Sequence, residues 1–216
     1  MRELMRRCIA ASGGRACVTV LLVAALAAFA ATPAVAAAPE VGAPAPVFEA
    51  LDDTGKPWKS SDHVGKGVVV VYFYPADMTG GCTKQACGFR DDMQLLREQG
   101  VTVVGVSGDT VRNHQLFKKE YGLNFPLLAD TEGTVAAAFG VPVTAGEKVV
   151  TKEIGGVNEE FKRSITAKRW TFVIGPDGKV ASKNTEVAAA DDSKAVLALV
   201  KQLRGGAAKQ PVGAGK

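Results

Sequence analysis

The run Val68-Val69-Val70-Val71-Tyr72-Phe73-Tyr74-Pro75-Ala76-Asp77-Met78-Thr79-Gly80-Gly81-Cys82-Thr83-Lys84-Gln85-Ala86-Cys87 decides how the chain is read. Its first seven residues are β-branched or aromatic with no polar alternation, the pattern of a strand buried on both faces. Pro75 has no N–H to donate and ends the ladder. Gly80 and Gly81 permit a tight turn, and the residues beyond Cys82 have the pattern of a helix ending at Gly100. Cys82 is therefore expected where a buried strand hands over to a helix N-terminus. Free backbone N–H groups and the helix dipole stabilise an anion there. The thiolate, the nucleophilic form of cysteine, is favoured in that setting. A second thiol, Cys87, follows five residues on.

Working outward, Val101–Ser107 reads as a second buried strand, with Asp109 or Thr110 capping the helix that follows. That helix runs to Tyr121 and stops at Gly122. Phe125–Leu128 starts extended, and Asp130 precedes a short helix to Phe139. Arg169–Ile174 and Val180–Lys183 pair around Pro176-Asp177-Gly178-Lys179, and Asp191–Arg204 is a terminal helix. On the other side, Val47–Leu51 and Lys56–Trp58 make a small hairpin about Asp52–Gly55. Strands alternating with helices, then a hairpin and a helix, give a three-layer α/β domain over residues 39–204. Residues 141–168 are long for a connection and read as an insertion, two edge strands around Ile154-Gly155-Gly156 that form a surface elaboration. The Gly/Ala/Lys tail, 205–216, is expected to be disordered.

Residues 1–38 are a separate matter. Arg2, Arg6 and Arg7 precede an apolar run from about Ala16 to Ala31, then Pro33 and Ala34-Val35-Ala36. A basic start, a short apolar middle and a small-x-small end make a secretory signal peptide cleaved near Ala36. The alternative is an uncleaved anchor, but the run falls short of the ~20 residues of a spanning helix. Either way the domain is expected outside the cytoplasm, in a periplasmic or other extracytoplasmic space. The net charge of +4 belongs mostly to this leader, since the remainder holds 22 basic and 21 acidic residues. Nothing in that balance argues for nucleic acid or an anionic membrane. Cys8 and Cys17 also lie in the leader, so a mature chain keeps only Cys82 and Cys87. One close pair is too few for a disulfide scaffold, which favours redox chemistry.

The central run resembles the peroxiredoxins, and within them the class called peroxiredoxin Q or bacterioferritin-comigratory protein. The family pattern of Pro, Thr or Ser, and Cys is matched by Pro75, Thr79 and Cys82, and the second cysteine of that class by Cys87. The resemblance continues through Gly105–Asp109, Phe125–Asp130 and Arg169–Ile174 and covers Pro39 to Arg204. Where this class usually has Pro before the Gly of the turn, Gly80 stands here. The resemblance implies a thioredoxin-like fold with a central mixed sheet and an N-terminal hairpin. It also implies a monomeric thiol peroxidase with no cofactor and no metal. In that scheme Cys82 is the peroxidatic cysteine that becomes a sulfenic acid, and Cys87 the resolving cysteine that closes a disulfide. A thioredoxin-like dithiol recycles the pair, and a hydroperoxide is the substrate. Thr79 would donate to sulfur and accept from the peroxide, and Pro75 would shield the thiolate from bulk water. Arg169 would be the active-site cation, favouring the thiolate and the breaking O–O bond, with Lys168 beside it as a rival.

Other readings stay open. An exported thiol–disulfide oxidoreductase acting on protein thiols would use Cys-x-x-Cys, whereas four residues separate the cysteines here. A thioredoxin-fold binding module would keep them as a static bridge. Zinc needs four N or S ligands in a structural site, and only His63 and His114 are left to join the thiols. His63 is read as a loop residue, and His114, Lys118, Lys119 and Glu120 as an exposed helix face. Trp58 and Trp170 are packing residues.

Overall fold

The computed structural model describes residues 38–207, with side chains through Arg204. The leader and the rest of the tail lie outside the described residues. The apolar run forms strand β3, Val68–Phe73, and every one of its residues is buried. β-Branched side chains on a strand with no polar face can be satisfied only by apolar layers on both sides. Both layers are present. Val68, Val70 and Tyr72 point into one core cluster, and Val69, Val71 and Phe73 into the other.

The remaining elements assemble around that strand. Glu49–Asp52 (β1) and Pro57–Lys59 (β2) make the N-terminal hairpin. Gly80–Glu98 (α1) follows β3, then Val101–Ser107 (β4), Val111–Tyr121 (α2), Leu127–Ala129 (β5) and Thr134–Ala138 (α3). Val143–Ile154 (β6) and Val157–Ala167 (β7) form a long hairpin; Trp170–Ile174 (β8), Val180–Asn184 (β9) and Asp192–Ala207 (α4) close the chain. The main sheet has the order β2-β1-β5-β4-β3-β8-β9. β3, β4 and β5 run parallel, while β8 pairs antiparallel with β3. The central sheet is therefore mixed, as expected. Side chains of α1, α2 and α4 fill the first cluster, and α3 packs with Phe48 and Trp58 in the second. Tyr72 lies in register with Gly105 on the neighbouring strand, and the tyrosine ring fills the space where a side chain at 105 would stand.

Local signals account for the element ends. Thr110 caps α2 by accepting from the Asn113 N–H, a bond that typically contributes about 1 kcal/mol. Gly122 ends α2 in the left-handed conformation that glycine adopts without steric cost.

Three expectations need correction. The strands between residues 141 and 168 form, but as a two-stranded sheet of their own rather than on an edge of the main sheet. The inner face of β7 is not mere elaboration, because Phe161, Arg163, Ile165 and Ala167 are buried. His114 is not on an exposed helix face; it is fully buried, and its Nδ1 lies 2.8 Å from Asp77 Oδ2. Lys118 is only partly solvated: its ammonium reaches Asp53 at 2.8 Å and the Phe125 carbonyl at 3.0 Å. Lys119 and Glu120 are exposed.

Candidate active site

β3 delivers the chain to Pro75 at the rim of the sheet, with the Tyr74 N–H still donating to the Val106 carbonyl at 3.1 Å. The loop Pro75–Thr79 then turns the backbone into α1. Met78 carries that turn at φ 59°, the only non-glycine residue with positive φ among the described residues. A side-chain-bearing residue there costs about 1 kcal/mol or more, so the surrounding contacts must hold it. Thr79 is the N-cap residue of α1, but its side chain makes no capping bond. Its hydroxyl donates to the Ala76 carbonyl at 3.0 Å instead. That hydrogen is thus committed to the loop, and the oxygen retains lone pairs to accept. The expectation that Thr79 donates to sulfur is not met; only its acceptor role fits this geometry.

Cys82 sits in the first turn of α1, 2% exposed. Arg169, half-buried just before β8, places Nη2 at 3.2 Å from Cys82 Sγ. Lys168 beside it is exposed, and among the described residues Arg169 is the cation whose side chain reaches the sulfur. The strand pairing explains how residues so far apart in sequence meet. β8 lies beside β3 with Phe73 opposite Trp170, so the residue before Trp170 arrives at the same rim where β3 yields to α1. Pro75 is half-buried on that rim. Cys82 and Cys87 both carry free thiols, and Cys87 is half-buried five residues, about 1.4 turns, along the same helix.

Two residues that sequence reasoning passed over aim the guanidinium. Gln85 is fully buried; its Oε1 accepts from Arg169 Nη1. Gln85 Nε2 then donates to Asp192 Oδ2 at 2.7 Å, and the Thr171 hydroxyl donates to the same oxygen at 2.8 Å. Burial holds the Asp192 carboxyl above its ordinary pKa, opposed by the bonds from Gln85 and Thr171 and by the charge of Arg169. A signal for Gln85 did exist. It falls at Cys82 plus three on the stripe Cys82, Ala86, Phe89, Met93, Leu96, where a polar side chain needs a partner.

A second buried cluster underlies the loop, built from Tyr74, Asp77, Asp109 and His114. Burial pulls the His114 pKa down, but the Asp77 and Asp109 carboxylates beside it prevail and leave it raised. A shallow groove of about 560 Å³ borders Arg169, with Lys168, Trp170, Glu186 and Val187 in its wall. A separate one of about 360 Å³ borders Cys87, with Lys84, Asp91 and Lys194.

A buried thiol at a helix start, with a fixed cation on the sulfur and an acceptor hydroxyl one turn away, is equipped to displace a leaving oxygen. Comparison with known proteins agrees with that chemistry. Residues 41–183 match the model of the AhpC/TSA family. A putative peroxiredoxin bcp from Coxiella burnetii is 41% identical over 66% of this chain and 86% of its own length. Peroxiredoxin Bcp from Bacillus subtilis is 36% identical over 76% of this chain and 96% of its own. The crystal structure of peroxidoxin BcpB from Mycobacterium tuberculosis superimposes with a TM-score of 0.63 at 36% identity, covering 76% of this chain and 97% of that one.

Proposed function

The chain belongs to the AhpC/TSA family and is a thiol-dependent peroxidase, and on that premise we propose how its residues carry the reaction out. Cys82 thiolate attacks the terminal oxygen of hydrogen peroxide or an organic hydroperoxide. An S–O bond forms, the O–O bond breaks, and Cys82 becomes a sulfenic acid. The leaving oxygen takes a proton and departs as water or an alcohol. Arg169 stabilises negative charge as it passes from sulfur to that oxygen. Thr79 Oγ1 accepts the peroxide O–H and so orients the O–O bond, and Pro75 keeps bulk water off the sulfur. Cys87 then condenses with the sulfenic acid, releasing water and forming a disulfide within the chain. A thioredoxin-like dithiol reduces that disulfide by exchange.

The observation that carries this reading is the 3.2 Å contact between Arg169 Nη2 and Cys82 Sγ. Stopped-flow mixing of the reduced protein with hydrogen peroxide is expected to show rapid oxidation of Cys82, with turnover when a thioredoxin system is supplied. Failure to consume peroxide, together with reduction of a protein disulfide, would instead support a thiol–disulfide oxidoreductase.

The layout of residues 1–38 supports export with removal of the leader. Protein from the native host is expected to begin near Ala37 on N-terminal sequencing. A soluble protein that retains Met1 would sink that assignment.

A further inference from the structure

Beneath the loop that carries Pro75 and Thr79 lies a polar cluster that the chemistry above does not use. Asp77 is 1% exposed and His114 is fully buried. Asp77 hangs from the middle of the loop. Its backbone N–H donates to Asp109 Oδ2 at 2.9 Å. Its carboxylate accepts the Tyr74 hydroxyl at 2.7 Å and the His114 Nδ1–H at 2.8 Å. Asp109 is itself fixed by the Ser107 hydroxyl and by the Asn113 amide, both at 2.9 Å. Its backbone also bridges to that of Arg163. The loop is thus tied through one residue: by the Asp77 carboxylate to the end of β3 and to α2, and by its backbone N–H to the β4–α2 connection. It needs such a hold, because Met78, next to Asp77, stands at φ 59°, a conformation that methionine abandons when nothing enforces it. A relaxation there would carry Thr79, the following residue, with it.

We infer that Asp77 and His114 act together as positioning residues for the peroxide cradle, setting where Thr79 Oγ1 and Pro75 stand relative to Cys82. The inference rests on the peroxidase reading and deepens it. Neither residue touches the sulfur or the substrate; both serve through geometry. Such support matters, since a misplacement of about 1 Å at a reacting centre can cost roughly 100-fold in rate. The two also form a unit, because removing either one takes from the other its closest polar partner inside a buried site and leaves the Tyr74 hydroxyl as the neighbour that remains.

The test compares two rate constants for Cys82 in each variant: oxidation by hydrogen peroxide and alkylation by iodoacetamide. Alkylation requires an accessible thiolate but neither Thr79 nor Pro75, so the ratio isolates the cradle from the thiol. Asp77→Asn and His114→Leu are expected to lower the ratio about 10- to 100-fold. His114→Asn, which keeps an N–H near the Nδ1 position, is expected to recover most of that loss. Tyr74→Phe retains the ring and removes a single bond to Asp77, so it reads the same effect where a buried-charge variant does not fold. Its expected loss is roughly threefold to tenfold. The double variant Asp77→Asn/His114→Leu is expected to fall no further than the worse single one. An unchanged ratio in folded Asp77→Asn, His114→Leu or Tyr74→Phe overturns the positioning role, as does an equal loss of both rate constants. Wild-type protein that is alkylated at Cys82 but reduces no peroxide overturns the peroxidase reading itself.

Discussion

Arg169→Ala is expected to slow oxidation of Cys82 by hydrogen peroxide by about 100- to 1,000-fold, the usual cost of deleting one preorganised donor to a developing charge. Arg169 is the group that reaches Cys82 Sγ, at 3.2 Å. It does so from a half-buried position where water is a poor substitute for the lost charge. Lys168→Ala is the matched control and should be mild, because Lys168 is exposed. Gln85→Ala should fall between them. It leaves the cation in place but removes the bond that aims it, worth about 1 kcal/mol or roughly fivefold in rate. Stopped-flow kinetics on the three variants gives the order directly. A folded Arg169→Ala protein with wild-type kinetics would remove this residue from the site.

The second large effect concerns α1. Cys82 and Cys87 lie in one continuous helix, Gly80–Glu98. Five residues of helix give a rise of about 7.5 Å and a rotation of about 140°, hence a Cα separation of roughly 8.6 Å. Disulfides rarely span more than about 7 Å between Cα atoms, and these side chains also point apart. The helix that presents Cys82 to peroxide must therefore unwind before Cys87 can reach it. Residues 81–89 are expected to lose hydrogen-exchange protection on oxidation. That unwinding has to release Gln85 from Arg169 and Asp192 and part α1 from α4, where Gly88 lies against Ser193. Equal protection in reduced and oxidised protein, with the Cys82–Cys87 disulfide confirmed by mass, would overturn the unwinding of α1. Cys87→Ser should keep the first peroxide turnover and accumulate sulfenic acid at Cys82. Loss of that turnover in a folded mutant would place Cys87 in the peroxide-reactive site.

The parts of this molecule legible in its sequence are those whose cause is local. A strand buried on both faces shows itself as unbroken Val68–Phe73, and the ends of α2 show themselves as Thr110 and Gly122. Cys82 was legible because a strand, a proline and two glycines in succession fix where a helix starts. What stayed hidden depends on partners remote in sequence. Gln85 and Asp192 are 107 residues apart, and neither has a neighbour that betrays the other. The polarity of histidine alone points His114 to solvent. Its spacing held the correction: it stands three residues before Phe117 and so shares that buried face. The carboxylate that makes its burial tolerable, Asp77, belongs to a loop 37 residues earlier. The 141–168 hairpin was legible as two strands but not in its placement, because pairing within the hairpin says nothing about which surface its inner face covers.

The fit of Tyr72 against Gly105 bears on how sequences of this kind diverge. A Cβ on Gly105 would lie 2.7 Å from the ring carbon and hydroxyl of Tyr72 and 2.9 Å from a methyl of Leu127. Positions 72, 105 and 127 therefore share one fixed volume, and mutations there are not independent events. A lineage that gains a side chain at 105 must first, or at once, lose bulk at 72 or 127, because overpacking a core typically costs about 1–3 kcal/mol. Among descendants of a common ancestor the three positions should drift as a correlated set. An alignment in which Ala or larger at 105 sits beside Tyr at 72 and Leu at 127 as often as chance allows would show that the strands yield instead.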